Sequence, residues 1–390
     1  MPYCPAAVER AMKVHEVILR ALSGQLTWLQ AADILGRSPR SIRRLRLMYE
    51  RFGCDALLDR RRQTPSPKRA NVTEVERLLR LYREHYAGFN VRHFVRRARA
   101  EHGMPFGYSF VKKALQTAGL VTKGRARGRH RRREPRPCFG ELLHLDGSRH
   151  RWLALVPEHD LTLIVVVDDA TKQVLYAQFA AGGESTAAVM TALHAVLTTW
   201  GLPMALYTDR AHWAAHTPVA GGAADRTQPT QVGRALAQLG IEHILGYSPQ
   251  ARGRSERMNR PLQDRLVNEL RAEGIGTPGA ANRYLRERFL PALNAEFRRT
   301  PSDPASAFVP LGRVDLAQIL CHQDERVGAR DNTVQLDGLC LQLAKQPGRR
   351  TCAGLRGLVR RHLDGRHSVW RGPRRLGLYD ARGRTLAPAA

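Results

Sequence analysis

Three acidic residues stand where a folded chain could gather them. Asp146 closes the run His144-Leu145-Asp146-Gly147, Asp209 closes Leu206-Tyr207-Thr208-Asp209, and Glu256 follows Ser248-Pro249-Gln250-Ala251-Arg252-Gly253 in the first turn of a long helical stretch. Carboxylates are hard oxygen ligands, and a few of them, completed by water and phosphate oxygens, hold Mg²⁺. Two such ions about 3.5–4 Å apart activate a water and steady a leaving oxygen, which is what phosphodiester cleavage demands. Asp146, Asp209 and Glu256 are therefore assigned as catalytic and metal-binding, with two Mg²⁺ (or Mn²⁺) ions expected. Taken singly, each has a plainer explanation. An Asp at a strand end more often closes a turn, and a Glu in a first helical turn often only answers the helix dipole. Position and order together favour the metal reading, because three clustered carboxylates repel one another without a cation.

Nearby residues compete for the same roles. Asp168 and Asp169 end a second strand; Asp169 reads as a turn or supporting residue, with metal contact by either left open. Lys172, Arg210, His212, Arg252 and Arg254 could each hold a scissile phosphate or equally be solvated charges.

The elements that must position the triad begin at Cys138. Strands are expected at Leu142–Asp146, Leu161–Val167, Val174–Phe179, Met204–Thr208 and Ile241–Leu245. The β-branched second run must be buried on both faces. Helices fall at Glu184–Trp200, Gln231–Leu239, Arg254–Ala272 and Ala281–Phe297. A three-stranded meander followed by alternating helix and strand is the order of an RNase H-like core, in which the first and fourth strands are neighbours. That adjacency brings Asp146 to Asp209.

Ahead of this core the chain is helical and basic. Val14, Val17, Ile18 and Leu22 share a helical face; Ser38 and Pro39 open a helix with Ile42 and Leu45 inward and Arg40, Arg43, Arg44 and Arg46 mostly outward. This is the pattern of a helix-turn-helix with a basic recognition helix, against the plainer alternative of a three-helix bundle with a solvated face. A Pro- and Arg-rich linker, Arg60–Ala70, leads to a second, weaker unit with helices capped at Thr73, Asn90 and Ser109. Lys123 to Arg136 then carries the densest charge run, including Arg125, Arg127, Arg129, Arg131, Arg132 and Arg133. These arginines, with Arg40, Arg43, Arg44, Arg46, Arg252 and Arg254, are the expected DNA contacts. Beyond the RRTPSDPAS stretch from Arg298, short β-like pieces at Thr333–Leu336, Leu339–Leu343 and Leu376–Tyr379 point to a small β-barrel.

The expected fold class is multidomain: all-α helix-turn-helix domains, an α/β RNase H-like catalytic core and a small β-barrel-like C-terminal domain. The boundaries are 1–59 for the first helix-turn-helix, 60–122 for a linker and second helical DNA-binding domain, 123–137 for the basic linker, 138–300 for the core and 301–390 for a linker, begun by the RRTPSDPAS stretch from Arg298, and a small β-rich C-terminal domain. A total of 390 residues suits several domains. Lys and Arg number 63 against 35 Asp and Glu, a formal charge of +28, and such an excess is usually balanced by a polyanion. The six cysteines form no CxxC pair or zinc spacing, and no signal peptide or membrane-length apolar run is present. The expectation is an intracellular, nucleoid-associated protein of the bacterial cytoplasm, with no membrane partner.

Residues 139–300 resemble the integrase catalytic region of DDE transposases, and nearly the whole chain resembles the ISNCY family of insertion-sequence transposases. The carrying motifs are His144 to Ser148 with Trp152, Val167-Asp168-Asp169-Ala170-Thr171, Glu184-Ser185-Thr186, Tyr207-Thr208-Asp209, and Ser248 to Gly253 running into Glu256, Asn259, Leu262 to Leu266 and Glu269-Leu270. Ala211-His212-Trp213 departs from the His-Ser-aromatic run often found after the second aspartate, and Pro218–Gln228 looks like an extra loop. The resemblance implies recognition of element-end inverted repeats, hydrolytic nicking that leaves a 3′-OH, and joining of that end to target DNA by a homodimer or larger assembly. Two alternatives stay open: a catalytically silent DNA-binding regulator derived from a transposase, and an RNase H-like nuclease without strand transfer.

Overall fold

The computed structural model describes residues 3, 5–58, 70–123, 134–156, 158, 160–180, 182–217, 225, 227–246, 262–344, 346 and 350–386. Glu256, Arg252, Arg254 and Arg125 to Arg133 lie outside the described residues. The chain divides into two compact units, Met1–Leu78 and Leu79–Ala390.

In the first unit, α1 (Pro5–Leu22), α2 (Trp28–Ile34) and α3 (Pro39–Phe52) are followed by a 3₁₀ turn at Gly53–Leu57. Thr27 and Gln30 cap α2 reciprocally, satisfying two otherwise orphaned amides. Gly36, at φ +58°, makes the turn into α3, whose Ser38 cap accepts from the Ser41 N–H at 3.3 Å. Val14, Ile18, Ala31, Ala32 and Ile42 form the core, whereas Leu22, expected inward, is exposed.

In the second unit, α4 (Val72–His85, shared at its start with the first), α5 (Val91–His102) and α6 (Tyr108–Thr117) enclose Tyr82, Tyr86, Phe89, Phe94 and Leu115. Asn90 caps α5 as expected. Ser109 does not cap α6, which starts two residues earlier behind Gly107.

The five-stranded sheet contains β1 (Leu142–His150), β2 (Leu161–Asp168), β3 (Val174–Ala180), β4 (Ala205–Thr208) and β5 (Glu242–Leu245) in the order β3-β2-β1-β4-β5. β1 runs antiparallel to β2 and parallel to β4; β2 and β3 are antiparallel, and β4 and β5 parallel. The meander and crossover pattern is the one expected. Helices α7 (Thr186–Trp200) and α8 (Gln231–Gln238) cover one face, packing on Leu143, Leu145, Ile164, Val166 and Leu206. The other face is covered by α9 (262–272), α10 (Pro278–Tyr284) and α11 (Leu290–Phe297), the last two joined by a π turn at Leu285–Phe289. Alternation along β2 sends Leu163, Val165 and Val167 to this second layer, so the strand is buried throughout. Asn282 and Asn294 each both donate to and accept from the backbone of edge strand β3, at Phe179 and Val174, which protects that edge from pairing with another chain.

Two expectations about the C-terminal part are corrected. The stretch from Arg298 is no free linker: the Arg299, Asp303, Ala307 and Val309 amides donate to core carbonyls at Thr171, Pro137, Phe139 and Leu202. Nor is a closed barrel formed among the described residues. After the short α12 (Leu316–Ile319), which adds Leu316 and Leu320 to the core cluster, β6 (His322–Val327), β9 (Arg356–Arg361), β10 (His367–Arg371) and β11 (Arg374–Tyr379) form an open sheet in the order β11-β10-β9-β6. β7 (Thr333–Leu336) and β8 (Leu339–Gln342) pair only with each other as a separate hairpin. Apolar alternation specifies which face is buried, but nothing in it specifies whether the outer strands meet.

Candidate active site

Asp146 does not end its strand. β1 continues four residues further, and Asp146 sits opposite Val165 within the ladder. The parallel register of β1 on β4 pairs Leu142 with Ala205, Leu143 with Leu206 and His144 with Tyr207. Continued by two positions, it sets Asp146 abreast of Asp209, which directly follows β4. Both are partly exposed. The Ala211 N–H donates to Asp209 Oδ1 at 3.0 Å, bracing that carboxylate at the strand end.

Alternation puts His144, Asp146 and Ser148 on the face covered by α9, since Leu143 and Leu145 point to α7 and α8. Gln263 Nε2, on α9, donates to Ser148 Oγ at 2.8 Å. The helix that continues the Glu256 segment is thereby fastened two residues beyond Asp146. Among the described residues no three His, Cys, Asp or Glu side chains form a metal cage; Asp146 and Asp209 supply two carboxylates.

Asp168 and Asp169 belong to the other end of the sheet. Asp168 pairs with Leu143, three positions before Asp146, or about 10 Å along the strand. Its carboxylate is saturated by protein donors: Gly140 N–H at 2.9 Å, and Thr171 N–H and hydroxyl, both at 2.7 Å. Asp169 accepts from Arg136 N–H, His144 Nε2 and Lys172 Nζ at 2.8, 3.2 and 3.1 Å. Burial pushes its pKa up, but the His144 and Arg136 hydrogen bonds and the Lys172 charge prevail and hold it well below the usual carboxylate range. These two aspartates tie the β2–β3 turn to the core entrance. Lys172, a candidate phosphate contact, is occupied here, as is Arg136, which also reaches Glu141 at 3.3 Å.

One acidic residue near the site reads in the sequence as the opening of a helix and as part of a motif that carries the family resemblance, with no catalytic role assigned. Glu184 precedes the Ser185 cap of α7, and its carboxyl group lies behind Gly147 on the face of β1 opposite Asp146. A Cβ at position 147 would stand 2.6 Å from the Glu184 carboxyl carbon, so any larger residue there requires the Glu184 side chain to swing aside. Burial raises the Glu184 pKa, and the negative charge of Asp209 adds to the rise. The paired signal, Gly after Asp146 and Glu before Ser185, is visible only once the sheet is built.

On the first unit, Arg40, Arg43 and Arg44 of α3 are exposed. Arg46 is not free in the same way: its guanidinium lies 4.9 Å from the centre of the Trp28 ring and bonds Glu50 at 2.7 Å.

The sheet order and strand directions are those of an RNase H-like fold. Residues 16–64 match a family model described as a helix-turn-helix domain. A putative transposase of Sinorhizobium fredii, y4bF, is 31% identical over 373 residues, covering 94% of this chain and 80% of its own. The transposase for insertion sequence IS1202 of Streptococcus pneumoniae is 29% identical over 322 residues, 73% of this chain and 68% of its own. The chain belongs to the DDE transposases. Similar solved structures include a chain of the simian T-cell lymphotropic virus intasome in complex with PP2A regulatory subunit B56 gamma (14% identity, 80% of this chain and 100% of that chain, TM-score 0.32). Another is the HTLV-2 integrase catalytic core domain in complex with magnesium (16% identity, 34% and 82%, TM-score 0.22). Among the described residues no helix is long and apolar enough to cross a membrane.

Proposed function

We propose that this transposase cuts and joins DNA at Asp146, Asp209 and Glu256, with two Mg²⁺ or Mn²⁺ ions held by those carboxylates. The observation that carries the reading is the β1–β4 register, which, continued by two positions, would set Asp146 abreast of Asp209 directly after β4. An all-oxygen, partly exposed donor pair suits a hard cation that keeps water and phosphate among its ligands. Divalent ions bound there would activate the attacking oxygen and steady the leaving one. The protein's part is to hold the carboxylates: β1 fixes Asp146, the Ala211 amide braces Asp209, and the Gln263–Ser148 bond fastens the helix that follows Glu256. In the first step water forms a bond to phosphorus as the strand breaks, leaving a 3′-OH. In the second, that hydroxyl attacks a target phosphodiester, whose own P–O bond breaks as the new one forms. No covalent bond to the protein is needed.

The division of labour follows the expected boundaries: 1–59 and 60–122 read the element ends, 123–137 bridges, 138–300 cuts and 301–390 supports. Two ends cut in concert imply a homodimer or larger assembly on DNA, in the nucleoid. On a duplex carrying the terminal inverted repeat that flanks this chain's own coding sequence, chelation with EDTA should abolish nicking and joining, and Mg²⁺ or Mn²⁺ should restore both. Cutting that persists in EDTA rejects the metal assignment; binding without cutting at any metal concentration favours the regulator. Nicking without joining favours the nuclease.

Sequence reading is placed on α3. Replacing both Arg43 and Arg44 by Ala should relax discrimination between terminal-repeat and random duplex by about 1–3 kcal/mol for each arginine that pairs with a base edge. Competition binding measures this, and an unchanged ratio moves recognition to another element.

A further inference from the structure

A buried polar cluster in the second unit lies away from Asp146 and Asp209. Glu269, on α9, is 3% exposed, and His93, on α5, is fully buried. Glu269 Oε1 accepts from His93 Nε2 at 2.6 Å and Arg96 Nη2 at 3.2 Å; Oε2 accepts from the Tyr284 hydroxyl at 2.6 Å and Arg97 Nη1 at 3.3 Å. Glu296 receives Arg96 at 2.9 Å and Arg265 at 2.7 Å, and Glu273 receives Arg97 at 3.1 Å. Three carboxylates from the catalytic layer thus grip two arginines and a histidine of one helix.

The charge states follow from the surroundings. Burial drives His93 toward the neutral form, donating through Nε2, while Nδ1 has no hydrogen-bond partner among the described residues. Burial opposes ionisation of Glu269 as well, but the His93 and Tyr284 hydrogen bonds and the Arg97 charge outweigh it and bring its pKa down to about 2. Apolar side chains of similar volume could pack such a junction at no lower stability. What this hydrogen-bonded ionic joint adds is a preferred geometry, because each of its bonds is directional. Arg96 and Arg97 are also withheld from DNA in a chain otherwise rich in cations. The same helix reaches the active site: Gln263, six residues or about 9 Å before Glu269, is bonded to Ser148 beside Asp146.

We infer that Glu269 is a positioning residue for DNA cleavage: it locks the α4–α6 unit at one distance and rotation from the Asp146–Asp209 site. The spacing along DNA between the contact made by that unit and the bond cut is then set by this joint. The inference rests on the proposed reading that α4–α6 contacts DNA and that the aspartates cut it.

The test uses full-length protein on the terminal-repeat duplex, with cut positions mapped at single-nucleotide resolution and amide exchange followed in α5. Glu269→Gln keeps the shape and removes the charge. It should bind the duplex within about threefold of wild type, raise α5 exchange at least tenfold, and spread a single cut over several neighbouring nucleotides. Glu269→Asp, which keeps the charge and withdraws it by one methylene, serves if the Gln variant does not fold and should also broaden the cut. Unchanged α5 exchange, or raised exchange with a single unshifted cut, overturns the inference. Failure of the underlying reading is recognised separately: wild-type Lys112 and Lys113 of α6 would then give no cross-link to the DNA, and the inference falls with it.

Discussion

Asp146→Asn should bind element-end DNA as the wild type does and lose metal-dependent cleavage by about 10³-fold or more, a rise of at least about 4 kcal/mol in the barrier. The amide is isosteric and the position is partly exposed within a long strand, so neither register nor core packing is disturbed. What disappears is the negative charge proposed to hold a divalent cation beside Asp209. The contrasting variant is Asp169→Asn. There the carboxylate accepts hydrogen bonds from Arg136, His144 and Lys172 of the protein itself. Its loss should lower the melting temperature, since hydrogen bonds to a charged group are worth about 1.5–3 kcal/mol, while specific activity of the folded fraction is retained. Nicking and filter-binding assays on both variants separate chemistry from scaffold. If Asp146→Asn cuts normally and Asp169→Asn does not, the site lies at the opposite end of the sheet.

The sequence makes the sheet legible because its signals are local. Leu161 to Val167 is an uninterrupted run of apolar and β-branched residues too short to be a helix, and the strand appears where that run lies. The extension of β1 past Asp146 has no such signal. Gly147, Ser148, Arg149 and His150 do not alternate, and they are strand only because Leu161 to Ile164 offer a ladder. The same distinction governs the site. Asp146 and Asp209 can be placed together from strand order, a property of the chain's connectivity. The saturation of Asp168 and Asp169 depends on Gly140, Arg136 and His144, donors 25 or more positions distant in the chain. Glu269 is the extreme case. As one of a family motif's residues it invites notice, but His93 is 176 positions away, and Arg96 and Arg97 read as two more cations on a basic helix. Spacing within α5 cannot tell which of its arginines turn inward, because the acids that draw them come from other helices.

Affinity for duplex DNA should fall steeply with salt, and a defined part of that steepness should reside in the tether between the DNA-reading half and the core. With a formal charge of +28, the protein meets the phosphate backbone mainly by displacing condensed counterions. Six to ten such contacts would weaken binding by about 10³–10⁵-fold between roughly 50 and 200 mM salt. Arg127, Arg129, Arg131 and Arg132 are the arginines to neutralise. Arg136 is left in place, because its backbone amide and guanidinium already serve Asp169 and Glu141. If all four contact phosphate, their replacement by Gln should flatten the log–log slope by about 3.6, at roughly 0.9 for each contact on duplex DNA. Phosphate contacts position without specifying, so the loss should be equal for terminal-repeat and random duplex. This is the signature that sets the tether apart from α3, where Arg43 and Arg44 should alter the ratio between the two DNAs. Titrations at several salt concentrations with both duplexes resolve the slope and the ratio together. An unchanged slope would mean the tether is held away from DNA; a flattened slope with a changed ratio would mean it reads bases as well as phosphates.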